Sequence, residues 1–154
     1  MTYDYSVENL WKVVSSPNYL NNVHPFCKEN SIIKWNNDHH EDKILYLNNK
    51  TYIRKFVSWK ALKGYDLWIG DNNKDQSFVE WRLEKAGNRS KLTITVYPFL
   101  LSNWPRILSF LPYFLYINIK LKSYLFSVLS GIDWYIKENT PVPKNQFGTH
   151  SWFS

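Results

Sequence analysis

The sequence predicts an α+β domain in which an antiparallel meander of strands precedes one long C-terminal helix. Apolar and polar residues alternate over most of the stretch between residues 30 and 98, which is the period of a half-buried strand. After residue 119 the apolar residues instead recur at helical spacing. The 154 residues suit one domain, so we expect a single domain over 1–154 with an irregular tail at 139–154.

Two short helices are predicted before the strands. Ser6 is a typical N-cap, and apolar residues follow it at helical spacing: Val7, Leu10, Trp11 and Val14. This helix should end near Ser16, since Pro17 follows. A second short helical turn is predicted at 18–23, before His24.

Six strands follow, separated by turn signals rich in Asn, Asp and Gly, at about 30–36, 43–48, 51–60, 64–70, 76–85 and 91–98. The connections are short, which favours antiparallel neighbours. In three strands the alternation defines a buried face, which holds Tyr65, Leu67, Ile69, Val79, Trp81, Leu83, Leu92, Ile94 and Val96. The strand at 51–60 is ambiguous, because Arg54 and Lys55 fall on opposite faces; our inward assignment is Val57 and Trp59.

The last predicted helix covers about 119–137, and its apolar stripe holds Leu121, Leu125, Val128, Leu129, Ile132 and Ile136. Gly131 in its interior costs about 1 kcal/mol relative to alanine, so we expect the sheet, a side chain or a ligand to approach closely there. Three aromatic residues should dock the tail on the body: Phe147, Trp152 and Phe153.

The stretch 98–119 is unusual, because Arg106 is its only charge and Pro105 and Pro112 interrupt it. Its uncharged run is shorter than the roughly 20 apolar residues that a membrane-spanning helix needs. It could be a buried connection, a lid over a pocket or an interfacial patch. Its apolar residues, beside Lys120 and Lys122, suit transient contact with an anionic membrane surface, and burial in a homodimer is the alternative.

The composition narrows the function classes. Aromatic residues make up 18% of the chain, which suits either a bulky core or a lined cavity. The net charge of +6 favours anionic partners, but the basic residues form no continuous run. Nucleic-acid binding would need exposed aromatics beside cations, whereas the alternation places Trp59 with Val57, so we expect no nucleic-acid partner.

The residue patterns of catalysis and metal binding are mostly missing. His24 and Cys27 could begin a metal site, but the other histidines fall in predicted loops or the tail, so we expect no metal and no cofactor. We find no phosphate-binding loop or nucleophile elbow, and we assign no catalytic residue. One cysteine and an N-terminus without an apolar signal region predict a cytoplasmic protein.

The order of elements resembles the helix-grip fold of the SRPBCC superfamily, which includes START lipid-transfer domains, Bet v 1-like proteins and polyketide cyclases. The residues that carry the resemblance lie in four short stretches: Ser6 to Trp11, His24-Pro25, Val79 to Leu83, and Leu129 to Ile132. One departure is the start of the chain, since the family begins with a full strand and only Met1 to Tyr5 is available here. Either that strand is very short, or something else, such as the stretch 147–154, covers the sheet edge.

The resemblance implies a deep apolar cavity between a curved sheet and the C-terminal helix. It also implies binding or transfer of a hydrophobic small molecule such as a lipid, sterol or polyketide; the alternative is a cyclase or dehydratase acting in the same cavity. Our candidate ligand-binding residues are Trp59, Leu67, Trp81, Ile94, Val96, Phe110, Leu125 and Val128. Candidate polar contacts are His24, Arg54 and Tyr124.

Overall fold

The computed structural model describes residues 1–71, 76–99 and 112–154, with side chains in the last range from residue 115 onward. Three helices lie in these ranges: α1 (Val7–Val14), α2 (Leu20–Val23) and α3 (Pro112–Glu138). The strands there are β1 (Thr2–Tyr3), β2 (Cys27–Trp35), β3 (His40–Tyr46), β4 (Thr51–Lys60), β5 (Gly64–Gly70), β6 (Gln76–Ala86) and β7 (Arg89–Tyr97). Ser6 caps α1 as expected, because its side chain accepts a hydrogen bond from the Asn9 amide.

The strands form one curved antiparallel sheet in the order β1-β7-β6-β5-β4-β3-β2. From β2 to β7 each strand pairs with the next one along the chain, which is the predicted meander. The first strand is present but very short: Thr2 lies opposite Lys91, so β1 covers the edge at β7. The tail therefore does not cover that edge.

Helix α3 packs Val128 and Ile132 into the core. It begins at Pro112 rather than near residue 119, because proline is well tolerated at the first position of a helix, where its missing N–H is not needed. The end of the unusual stretch is thus helical. Its segment 100–111, which includes Phe110, lies outside the described residues.

The expected close approach at Gly131 occurs at the end of α2. A Cβ atom on Gly131 would lie 2.1 Å from the carbonyl oxygen of Val23 and 3.2 Å from Cδ of Pro25. Only a residue without a side chain lets the two backbones meet at this distance. The contact fixes His24, which follows α2, against one face of α3.

A β-bulge corrects the predicted faces of β4. The register with β5 shifts between Phe56 and Ser58, and Val57 is 58% exposed rather than inward. The extra residue restores the inward side for Trp59, which lies opposite Tyr65. Because the bulge adds one residue, a strict alternation of faces along β4 cannot place both Val57 and Trp59 correctly.

The tail crosses the connection between α2 and β2 and ends beside β3. The Val142 amide donates to the carbonyl of Asn22 at 2.8 Å, and the Asn145 amide donates to the carbonyl of Pro25 at 3.0 Å. Phe153 stacks on Tyr46 with ring centroids 4.4 Å apart. The tail is therefore held against the body near its aromatic end.

Candidate ligand-binding cavity

A cavity of about 410 Å³ lies between the sheet and α3. The strands β3 to β7 supply one wall, α3 supplies the opposite wall, and Trp152 and Phe153 of the tail complete the lining. The side chains of this lining are mostly apolar, as in ligand pockets generally. Its polar members include His24, Tyr46, Arg54 and Tyr124.

Most of the residues proposed from the sequence meet at this cavity. Its lining includes Leu67, Trp81, Ile94, Val96, Leu125 and Val128, together with the three polar candidates His24, Arg54 and Tyr124. Trp81, on β6, is only 5% exposed, so the strand register that placed it inward is correct. Phe110 lies outside the described residues.

Trp59 does not line the cavity, and this corrects the sequence-based assignment. Its ring stacks on His40 at a centroid distance of 4.1 Å and on Tyr65 at 5.1 Å. Trp11 of α1 packs edge-on against it at 5.4 Å. The residue is on the predicted face of β4, but α1 covers that end of the sheet and fills the space beside it. Trp59 is therefore half-buried and packs against the core beyond the cavity.

A buried ion pair lies at the cavity wall. Nε of Arg54 donates to Oδ1 of Asp42 at 2.7 Å, its second terminal nitrogen donates to Oδ2, and both side chains are almost fully buried. Burial lowers the pKa of Arg54, but the charge of Asp42, its hydrogen bonds to the guanidinium and the nearby side chains of Tyr19 and Tyr65 together outweigh this and hold the pKa above its ordinary value. The pair is therefore charged on each side and neutral as a whole.

A chain of hydrogen-bonded hydroxyl groups connects the ion pair to a backbone carbonyl. Arg54 donates to the hydroxyl of Tyr19 at 2.9 Å, and that hydroxyl lies 2.8 Å from the hydroxyl of Tyr65. Tyr65 in turn donates to the carbonyl of Val14 at 3.3 Å. Each hydroxyl hydrogen of this chain has an acceptor, so the chain is closed.

A second polar chain joins α2, α3 and β3. Nδ1 of His24 accepts the Phe26 amide at 3.2 Å, so in the neutral ring Nε2 carries the hydrogen. Nε2 lies 2.8 Å from the hydroxyl of Tyr124, which lies 3.3 Å from the hydroxyl of Tyr46. Burial, aided by the positive charges of Arg54 and Lys144, lowers the pKa of His24 to about 3, so the ring is neutral at physiological pH.

Sequence reasoning missed three residues of these chains: Tyr19, Asp42 and Tyr46. The alternation in β3 carries a signal for two of them, since Asp42, Ile44 and Tyr46 share one face and all are buried. A carboxylate on an inward face requires a buried cation, and Arg54 directly opposite is that partner. Tyr19 lies in the turn before α2, where no periodic pattern indicates which way a side chain points.

Residues 1–71, 76–99 and 112–154 contain no group of three or more His, Cys, Asp or Glu side chains that could hold a metal ion. Within the same ranges, no helix is long and apolar enough to cross a membrane.

No protein-family model matches the chain, and no curated protein matches it by sequence. Solved structures do match. Ara h 8.0201 is 20% identical with a TM-score of 0.63, covering 90% of this chain and 94% of that one. A START superfamily protein from Mycobacterium smegmatis is 10% identical with a TM-score of 0.59, covering 91% and 95%.

The di-domain ARO/CYC StfQ of the steffimycin biosynthetic pathway is 5% identical with a TM-score of 0.62. That match covers 90% of this chain and 44% of StfQ. At these identities the likeness concerns the fold. With its antiparallel seven-stranded sheet around α3, the chain has the helix-grip fold of the SRPBCC or Bet v 1-like proteins.

Proposed function

We propose that this protein binds a hydrophobic small molecule in the cavity between the sheet and α3. The observation that carries the proposal is the cavity itself, about 410 Å³ in volume, with mostly apolar walls and a few polar groups. This volume falls in the range of about 300–1,000 Å³ that is typical of small-molecule sites. Lipids, sterols and polyketide-like molecules are the candidate ligand classes, and the cytoplasm is the proposed compartment.

The polar groups of the cavity favour binding over proton-transfer catalysis. A general acid or base works best with a pKa near the working pH. The pKa of His24 is lowered to about 3, and burial raises the pKa values of Tyr46 and Tyr124. Arg54 is already paired with Asp42. A cyclase acting in this cavity would therefore have to work by positioning its substrate, and binding is the simpler proposal.

A fluorescent apolar probe tests the proposal. N-phenyl-1-naphthylamine should gain fluorescence on binding with a Kd of about micromolar order. Val96→Trp places a large ring in the cavity and should weaken binding by roughly tenfold or more. Val57→Trp puts the same ring on the exposed side of β4 and is the matched control, with unchanged affinity. Equal affinity in both variants would contradict binding in the cavity.

Ligand exchange is proposed to involve a membrane surface. Leu115, Ile119 and Phe126 of α3 are 60%, 66% and 59% exposed and recur on one helical face, which also carries Lys122. An exposed apolar face with lysines suits an anionic bilayer. Leu115 and Ile119 belong to the stretch 98–119, for which the sequence predicted such a contact, and Lys122 and Phe126 extend the face beyond it. A homodimer through the same face is the competing interpretation.

Flotation with liposomes separates these interpretations. The wild-type protein should float with vesicles that contain phosphatidylserine, and Ile119→Asp with Phe126→Asp should abolish flotation. Val57→Asp, at another exposed apolar residue, should leave flotation intact. The wild-type protein could instead never float and be dimeric by light scattering, while the double variant is monomeric. This result would show that the face binds a second copy of the chain and not a membrane.

A further inference from the structure

The chain of His24, Tyr124 and Tyr46 has more donors than it can use. The chain has three polar hydrogens, one on Nε2 of His24 and one on each of the two hydroxyls. Only two hydrogen bonds join its three members. Whichever way the hydroxyls turn, one hydroxyl hydrogen remains without an acceptor in the chain. Elsewhere in the described ranges, neither hydroxyl makes a further hydrogen bond.

The neighbouring chain shows what a closed arrangement looks like. There the last hydroxyl, that of Tyr65, donates to the carbonyl of Val14. Among the residues that the structure describes, no such carbonyl accepts from Tyr46 or Tyr124, although both side chains line the cavity. A buried donor without an acceptor costs about 1–3 kcal/mol, so this chain is complete only when something in the cavity accepts its hydrogen.

We propose that the ligand carries a neutral acceptor oxygen, such as a ketone or ester carbonyl, that binds the spare hydroxyl of the Tyr46 and Tyr124 pair. This inference rests on the proposed function and specifies its ligand class. A neutral acceptor is expected because the only described ion pair at the cavity, Arg54 with Asp42, is already balanced. Lys50 also lines the cavity but is exposed, so an anion buried beside the two hydroxyls would have no described buried cation left to pair with it.

A matched pair of naphthalenes tests the inference. 2-Acetylnaphthalene offers a carbonyl oxygen, and 2-ethylnaphthalene has nearly the same shape without it. The wild-type protein should prefer the ketone by roughly three- to tenfold in Kd, the equivalent of one hydrogen bond. 2-Naphthoate should bind more weakly than the ketone, and tighter binding of the carboxylate would contradict a neutral acceptor.

The test variant is Tyr46→Phe with Tyr124→Phe, which keeps both rings and removes both hydroxyls. It also carries His24→Phe, because Nε2 of His24 lies 2.8 Å from the Tyr124 hydroxyl and would otherwise become the spare donor at the cavity. It should lose the preference for the ketone while it still binds 2-ethylnaphthalene, which also shows that the cavity is intact. Tyr3→Phe is the control, because Tyr3 is buried outside the cavity and its hydroxyl already donates to the carbonyl of Leu129. The control should retain the preference.

A measurement on the wild-type protein alone covers the case in which the test variant fails to fold. The carbonyl stretch of bound 2-acetylnaphthalene should lie at lower wavenumber than in hexane, as for a hydrogen-bonded ketone. A stretch at the hexane position, or equal affinity for ketone and hydrocarbon, would overturn the inference but leave hydrophobic binding intact. If no naphthalene binds the wild-type protein, the proposed function itself fails.

Discussion

Arg54 and Asp42 lie directly opposite each other on β4 and β3, and the guanidinium donates to both oxygens of the carboxylate. Both side chains are almost completely buried, with side-chain exposures of 4% and 0%. The guanidinium also lies over the rings of Tyr19 and Phe56, at 5.1 and 5.2 Å. This pair joins the sheet to the turn before α2 and forms part of the cavity wall.

Removing one charge of this pair should be costly. Asp42→Asn leaves the charge of Arg54 buried without compensation, and we expect a loss of about 3–5 kcal/mol in the free energy of unfolding. Glu41→Gln is the neighbouring control, because Glu41 and Lys55 form a partly exposed pair at 3.9 Å that should contribute less than about 1 kcal/mol. Urea denaturation measures both values. Similar losses in the two variants would contradict the importance of the buried pair.

The neutral state of His24 predicts a pH dependence of stability. Its pKa is lowered to about 3 in the folded protein, from an ordinary value of 6.5, so the unfolded chain takes up the proton first as the pH falls. Stability from this group is complete above about pH 6.5 and decreases by up to about 1.4 kcal/mol per pH unit below it. His24→Gln should flatten the curve between about pH 6 and 4, before most carboxylates titrate.

The remaining histidines provide the control for that curve. His40 and His150 also have pKa values lowered by burial, so they contribute a smaller slope in the same direction. His39, which is exposed, serves as the matched substitution His39→Gln and should leave the wild-type slope in place. A full wild-type slope in His24→Gln would show that another group is responsible.

The close approach at Gly131 predicts an unusual effect of a helix-favouring substitution. Gly131→Ala should gain about 1 kcal/mol from helix propensity. The new Cβ would meet the carbonyl oxygen of Val23 at 2.1 Å, which forces α2 away from α3, so we expect a net loss of about 1–3 kcal/mol. Ser130→Ala, one residue earlier, is the control and should be near neutral or stabilising. A stabilised Gly131→Ala protein would mean that the two helices separate readily.

Trp59 and Trp81 should differ in what their loss affects. Both rings contact Tyr65, at 5.1 and 5.3 Å, but Trp81 lines the cavity and Trp59 packs under α1. Each change to leucine should cost about 1–3 kcal/mol of stability. Trp81→Leu should also change the affinity for N-phenyl-1-naphthylamine severalfold, while Trp59→Leu should leave it within about twofold. The same change in probe affinity for both variants would indicate that Trp59 also lines the cavity.

These two residues also show which features of the structure the sequence can predict. Trp81 lies on an uninterrupted strand, where the period of two predicts its face correctly. Trp59 follows a bulge, and its neighbour Val57 was therefore wrongly placed inward. Whether an inward residue meets a cavity or another element depends on tertiary packing, and Trp11 of α1 decides this for Trp59. No local pattern contains that information.

The hydrogen-bond partners of the polar groups in the cavity also could not be predicted from local sequence patterns. His24, Arg54 and Tyr124 were candidates from the sequence and do line the cavity, but their partners are distant in the chain. Tyr124 is 100 residues from His24 and 78 from Tyr46. The start of α3 at Pro112 was missed for a different reason, because proline usually interrupts a helix and only its first turn accepts one.

Binding inside the fold can be tested with a crystal structure of the protein in complex with N-phenyl-1-naphthylamine. We expect the probe to lie between the sheet and α3, in contact with Trp81, Leu125 and Val128, with the strands β3 to β7 unmoved. The position of the aromatic rings in the electron density decides the outcome. A probe bound only on the outer face of α3, or a cavity closed by its own side chains, would contradict binding inside the fold.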